Sequence, residues 1–139
     1  QENLAILLIT HNLGVVAENA DRVAVMYASK LMEFADVDEL FSHPLHPYAE
    51  KLFQSIPRLG EKKDRLDVIP GNVPDPLNFP AGCKFHPRCH RCGTDSRCRV
   101  QEPELREVRP GHWVACFRAE GYESAKAGSP NDAIEDVTR

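Results

Sequence analysis

Three features of the sequence predict an α/β fold that ends in a small, irregular, cysteine-rich metal-binding module. Residues 1–56 alternate short apolar runs with segments of helical spacing. Residues 57–81 carry Pro57, Pro70, Pro74, Pro76 and Pro80 with Gly60 and Gly71, a composition that reads as an ordered loop or linker with little room for helix. Residues 82–118 hold all five cysteines of the chain and few aliphatic side chains. A unit so small rarely folds on an apolar core alone and needs a staple or a metal. Residues 119–139 are polar and acidic and are expected to be disordered.

Within the first segment, NLAILLITH is apolar at nearly every position, which predicts a strand covered on both faces. NLGVVAENA predicts a short helix with Asn12 as its N-cap and Leu13, Val16 and Ala17 on one face. RVAVMYAS and KLMEFAD read as two strands joined by a turn near Ser29–Lys30, and VDELFS as a helical turn capped by Asp36. HPYAEKLFQSI reads as a helix with Pro47 at its first position, where a missing N–H matters little. Tyr48, Leu52, Phe53 and Ile56 follow helical spacing along it.

Composition narrows the class. With 139 residues, 42% hydrophobic and 27% charged, the chain fits one ordinary domain or two small ones of cytosolic type. No apolar run approaches the roughly 20 residues that span a bilayer, and the opening QEN has no basic region of a signal peptide. Net charge is −4, unevenly spread: −5 over residues 1–55 against +4 over residues 82–118. The cysteine region is therefore a basic island in an acidic chain. Nucleic-acid binding through that island is the weaker reading, because arginines beside an anionic metal–thiolate centre are explained by the centre. No nucleic-acid partner is expected.

Cys83, Cys89, Cys92 and Cys98 fall within sixteen positions, and Cys116 follows in GHWVACF. An odd number of cysteines without a secretion signal argues against disulfides. Zinc takes four Cys or His ligands, usually from close pairs. Here only Cys89 and Cys92 form a CxxC pair, with His86, His90 and His112 available as substitutes. An iron–sulfur cluster also takes four thiolates, and its larger body tolerates irregular spacing better than one ion does. Four thiolates leave the same net charge around either group, and Lys84, Arg88, Arg91, Arg97 and Arg99 would offset it.

Four stretches, taken in order, resemble a known family. They are LLITHNLGVVAENADRVAVMYASKLMEFAD, HPLHPYAEKLFQSIPR, IPGNVPDPLNFPAGCKFHPRC and EPELREVRPGHWVAC. Over about residues 3–118 they are similar to the C-terminal part of oligopeptide/dipeptide ABC-transporter ATP-binding subunits. The HPY at 46–48 and the GCxFxPRC pattern are particular to that branch, whereas THNL points only to ABC ATPases in general. The resemblance implies that residues 1–56 are the end portion of an ABC ATPase domain and that His11 is the switch-loop histidine touching the ATP γ-phosphate. It implies a [4Fe–4S] ligand set of Cys83, Cys89, Cys98 and Cys116. Eight residues separate Cys89 from Cys98, two more than the family pattern, and one of them is Cys92, the substitute candidate. Ser29 stands where the family more often has glycine.

The same resemblance implies ATP and Mg²⁺ only in the full-length protein. This chain carries no GxxxxGK[ST] phosphate loop and no ABC signature, so on its own it is expected to be inactive. The implied partners are a second ABC ATPase subunit and transmembrane permease subunits, at the cytoplasmic face of the cell membrane. A homodimer through residues 1–56 would also hide the apolar faces of the half-sheet.

Overall fold

The computed structural model describes residues 4–56 and 68–130. Its elements are α1 (Leu13–Asn19), β1 (Arg22–Tyr27), β2 (Lys30–Asp36), α2 (Val37–Ser42), α3 (Pro47–Gln54), α4 (Arg97–Val100), β3 (Arg106–Arg109), β4 (His112–Val114) and β5 (Lys126–Ala127). The Asn12 side chain caps α1 by accepting from the Gly14 and Val15 N–H groups at 3.1 and 3.3 Å. β1 and β2 form a hairpin whose two turn residues, Ala28 and Ser29, have φ of 48° and 62°. Positive φ at both positions matches the strands' own twist. A glycine in place of Ser29 would take that conformation without a Cβ penalty.

The sheet is antiparallel throughout, in the order β1-β2-β4-β3-β5. Its centre is a long-range pairing: Glu33 faces Val114 and Phe34 faces Trp113 across β2 and β4. The sheet thus runs without a break from the first segment of the chain into the cysteine-bearing one. Three apolar clusters involve its strands. Val25, Ala35, Leu40 and Ala49 pack with Leu52 and Phe53 of α3. Tyr27, Met32 and Phe85 pack with Tyr48, and Leu45, Val114 and Cys116 pack with Tyr122.

Two expectations are corrected. Residues 4–10 form no strand, and Leu4, Ile6, Leu7 and Ile9 are each at least 80% exposed. A strand needs a neighbour for its N–H and C=O groups, and among the described residues none runs beside this one. The predicted disorder from residue 119 also fails over its first part. Tyr122 is buried, its hydroxyl donates to the Glu104 carbonyl at 2.7 Å, and Arg106 lies over its ring. β5 then pairs with β3. One aromatic residue with a partner for its hydroxyl anchors an otherwise polar stretch. Residues 57–67 of the predicted linker and 131–139 of the predicted tail lie outside the described residues. Residues 68–81 contain neither helix nor strand, and Arg88 holds them through the Ile69 and Pro70 carbonyls at 3.1 and 3.0 Å. No helix among the described residues is long and apolar enough to cross a membrane.

A buried carboxylate ties these parts together. Glu33 on β2 is fully buried. Its Oε1 accepts from the Leu45 N–H at 2.8 Å and from His112 Nε2 at 2.6 Å, and its Oε2 accepts from the His46 N–H at 2.8 Å. His112 turns its other nitrogen to Glu39 at 3.3 Å, and Arg109 donates to the same Glu39 oxygen at 3.0 Å. Burial alone would lower the His112 pKa, but hydrogen bonds and charge from Glu33, then Glu39, more than reverse this and raise it. The imidazolium is the favoured form, with both N–H groups donating to carboxylates.

A native pKa above the unfolded value of 6.5 means that His112 contributes its full stability below pH 6.5 and loses it as pH climbs through the raised native pKa. Unfolding by denaturant at a series of pH values should therefore show stability falling above pH 6.5, by at most about 1.4 kcal/mol per pH unit from this group. His112→Gln should be less stable at pH 6 and lack that decline; an unchanged slope would mean that His112 is not charged in the native protein.

Candidate functional site: a cavity walled by thiols

None of the five cysteines is in a disulfide, and all five line one cavity. Cys83 enters from the segment after the proline-rich loop, Cys89 follows the 3₁₀ turn His86–Arg88, and Cys98 sits on α4. Cys92 lies in the bend between them, and Cys116 follows β4. His46, Pro47, His86, Phe117 and Arg118 complete the wall. About 280 Å³ there is unfilled by atoms, but a water's centre has only about 10 Å³ in which to move.

Three of the thiols share a local geometry. Burial pushes the Cys83 thiol up, while the nearby Phe85 and His86 N–H groups pull its pKa the other way. Cys89 is raised by burial and opposed by the N–H groups of Arg91 and Cys92. Burial pushes Cys116 to about 12, against the N–H groups of Arg118 and Ala119. In each case the opposing influence comes from the backbone N–H groups of the second and third residues after the cysteine, of which those of His86 and Ala119 donate to the Cys83 and Cys116 carbonyls at 3.0 and 3.1 Å. Such pairs favour the thiolate, the form that binds metal. Cys98 differs: burial, then a hydrogen bond with the Cys92 thiol, push it to about 12. Cys92 itself points its S–H to the Asp95 carbonyl at 3.9 Å.

The backbone under the site leaves no room at Gly82. Its φ is +69°, and a Cβ there would meet the Cys98 carbonyl oxygen at 2.5 Å. That approach lets the Cys83 N–H donate to the same carbonyl at 2.9 Å, bringing Cys83 and α4 together. Beneath lies an aromatic floor in which the Phe85 ring is 5.2 Å from Tyr27, 5.4 Å from Tyr48 and 5.8 Å from His46.

The histidines divide. His86 lines the cavity and donates from Nδ1 to the Cys83 carbonyl at 2.9 Å. His90 pairs with Glu50 at 3.3 Å, beside Arg91 at 2.6 Å from the same oxygen. His112 belongs to the Glu33 latch. His11 stands exposed just before α1 and is not among the residues that wall the cavity. The arginines of the basic island mostly have internal partners: Arg88 in the loop, Arg97 on Asp95 and Glu123, Arg109 on Glu39. Among the described residues no group of three or more His, Cys, Asp or Glu side chains stands close enough to hold a metal ion.

One wall residue was not anticipated from the sequence. His46 is fully buried and is the N-cap of α3, its Nδ1 accepting from the Tyr48 N–H at 3.0 Å. Burial, then the nearby Arg91 charge, push its pKa down to about 3, so the ring is neutral. Its Nε2 is buried without a partner, a condition that ordinarily costs about 1–3 kcal/mol. A polar side chain immediately before the Pro47 that opens a helix was the available signal.

Residues 32–100 match the family described as the oligopeptide/dipeptide transporter, C-terminal region. The oligopeptide transport ATP-binding protein AppD of Bacillus subtilis is 49% identical over 125 residues, covering 88% of this chain and 38% of that protein. The dipeptide transport ATP-binding protein DppD of Escherichia coli is 40% identical over 130 residues, covering 94% of this chain and 38% of that protein. AppF of Bacillus subtilis, an oligopeptide transport ATP-binding protein, is 44% identical over 118 residues, covering 82% of this chain and 35% of that protein. The chain thus spans less than two fifths of the length of these relatives.

Gly82→Ala tests the close approach. The added methyl has nowhere to go but into the α4 backbone, so thermal unfolding should show a loss of several kcal/mol, the usual scale for overpacking combined with a strained φ. Stability within about 0.5 kcal/mol of the parent would mean that α4 does not rest on this residue.

Proposed function

We propose, because this chain carries the C-terminal region of the oligopeptide/dipeptide transporter ATP-binding proteins, that it serves in the whole protein as the end of an ATPase subunit that drives peptide import and carries a [4Fe–4S] cluster. The subunit would lie on the cytoplasmic face of the membrane beside permease subunits and a second ATPase subunit. His11 would stand at the switch position, donating a hydrogen bond to the γ-phosphate held by parts of the protein that this sequence does not include. The apolar run at residues 4–9, exposed here, would then find its neighbours in the rest of the ATPase sheet or against a second copy. Without a phosphate loop, the chain alone should not hydrolyse ATP.

The convergence of five thiols on one cavity carries the cluster reading. A single zinc draws its sulfurs to about 3.8 Å from one another, given Zn–S bonds near 2.3 Å in a tetrahedron. A four-iron body spreads its ligands wider. The paired N–H groups at Cys83, Cys89 and Cys116 suit sulfurs that carry negative charge, and Arg118 beside them offsets it. Cys98 is the fourth ligand in this reading, with Cys92 hydrogen-bonded to it as its substitute. When bound, the cluster supplies four metal–thiolate bonds that staple a segment poor in apolar side chains. The role is structural first, since ligand binding by the folded state alone stabilises it.

Two measurements test this. Anaerobically purified protein should contain about four iron and four acid-labile sulfide per chain and absorb in the visible; one zinc with no sulfide, or free thiols alone, would defeat the cluster reading. Serine replacement should then sort the ligands. Cys83→Ser, Cys89→Ser and Cys116→Ser should each lose most of the iron. Cys98→Ser should keep part of it through Cys92, and Cys92→Ser should keep nearly all. Full iron in any of the first three would break the assignment.

A further inference from the structure

Among the described residues, His46 Nε2 is a fully buried polar atom of a cavity-wall residue that has no hydrogen-bond partner. Its surroundings fix what it can do. The backbone N–H of His46 is held by Glu33, and the ring is packed against Phe85. The Tyr48 N–H points at Nδ1 from 3.0 Å, so Nδ1 must carry the lone pair and Nε2 the proton. The ring is therefore a donor at Nε2 and cannot bind metal there without giving up its cap on α3. Among the described residues no protein group accepts from it, and His46 is one of the residues that line the cavity the five cysteines share.

We propose that His46 Nε2–H donates a hydrogen bond to a sulfur of the group the thiols hold, either a cysteine thiolate or a bridging sulfide. The inference rests on the cluster reading above. It makes His46 a positioning residue with an electronic effect: a hydrogen bond to cluster sulfur stabilises the more negative, reduced state and so raises the reduction potential. It also gives a reason for a histidine at the N-cap, where asparagine or serine would cap equally well. A ring that accepts at one nitrogen and donates at the other, farther one can cap the helix and reach the cavity together.

That distinction defines the test. His46→Asn keeps a capping oxygen for the Tyr48 N–H, and its amide N–H groups end short of where the ring Nε2 stands. Wild-type and variant holoprotein are purified anaerobically, assayed for iron and sulfide, and titrated with dithionite through redox mediators to reduce the cluster by one electron. Pulsed electron paramagnetic resonance is recorded on the reduced wild-type protein labelled with ¹⁵N-histidine. The expected result is unchanged iron and sulfide, a more negative midpoint potential in His46→Asn, and a weak ¹⁵N coupling in the wild type that the variant lacks. An unchanged potential with iron retained overturns the inference and leaves the cluster reading standing. Loss of iron from the variant with a strong ¹⁵N coupling in the wild type also overturns it, because His46 would then be a ligand. Wild-type protein without iron and sulfide removes the cluster reading, and the inference falls with it.

Discussion

The Glu33 carboxylate takes hydrogen bonds from two parts of the chain that are distant from each other in sequence. It receives the Leu45 and His46 N–H groups at the start of α3 and the His112 ring on β4. A carboxylate taken fully out of water is tolerated only when paired and fully bonded, so none of these partners can move without exposing the others to that penalty. The helix, the strand pairing and the histidine are thereby fixed as one unit. The position of His46 relative to the thiols follows from it, as does the approach of Cys116, which leaves β4 two residues after Val114.

The cysteine segment is held to this frame from several sides by modest contacts. Gly82 lets Cys83 meet α4, Arg88 ties the proline-rich residues to Tyr27 and the loop carbonyls, and Glu50 on α3 receives His90 and Arg91. The exposed ion pairs contribute little individually. Taken with the aromatic floor, they leave five thiols side by side in a space almost closed to water.

Much of this was legible in the sequence wherever the determinant was local. Asn12 before an apolar face, Pro47 at a helix start and the paired runs around Ser29 each specify a nearby backbone shape, and each element forms where expected. The clustering of the cysteines likewise announced one site. What escaped was set by contacts distant in sequence. The β2–β4 pairing joins residues nearly eighty positions apart, and no periodicity encodes it. His46 was read past because its role depends on a cavity built by other segments. The run at residues 4–10 had the composition of a strand but lacks a neighbour among the described residues, and composition alone cannot supply one. Tyr122 shows the reverse case, a single aromatic packed within a stretch whose average character is polar.

The joining of Glu33 to His112 also bears on how the chain can be divided. Glu33 lies on β2 and His112 on β4, so a cut between the hairpin and the cysteine-bearing segment would take a strand from the sheet and the imidazole partner from the carboxylate. The two segments form one unit rather than a domain with a detachable cassette.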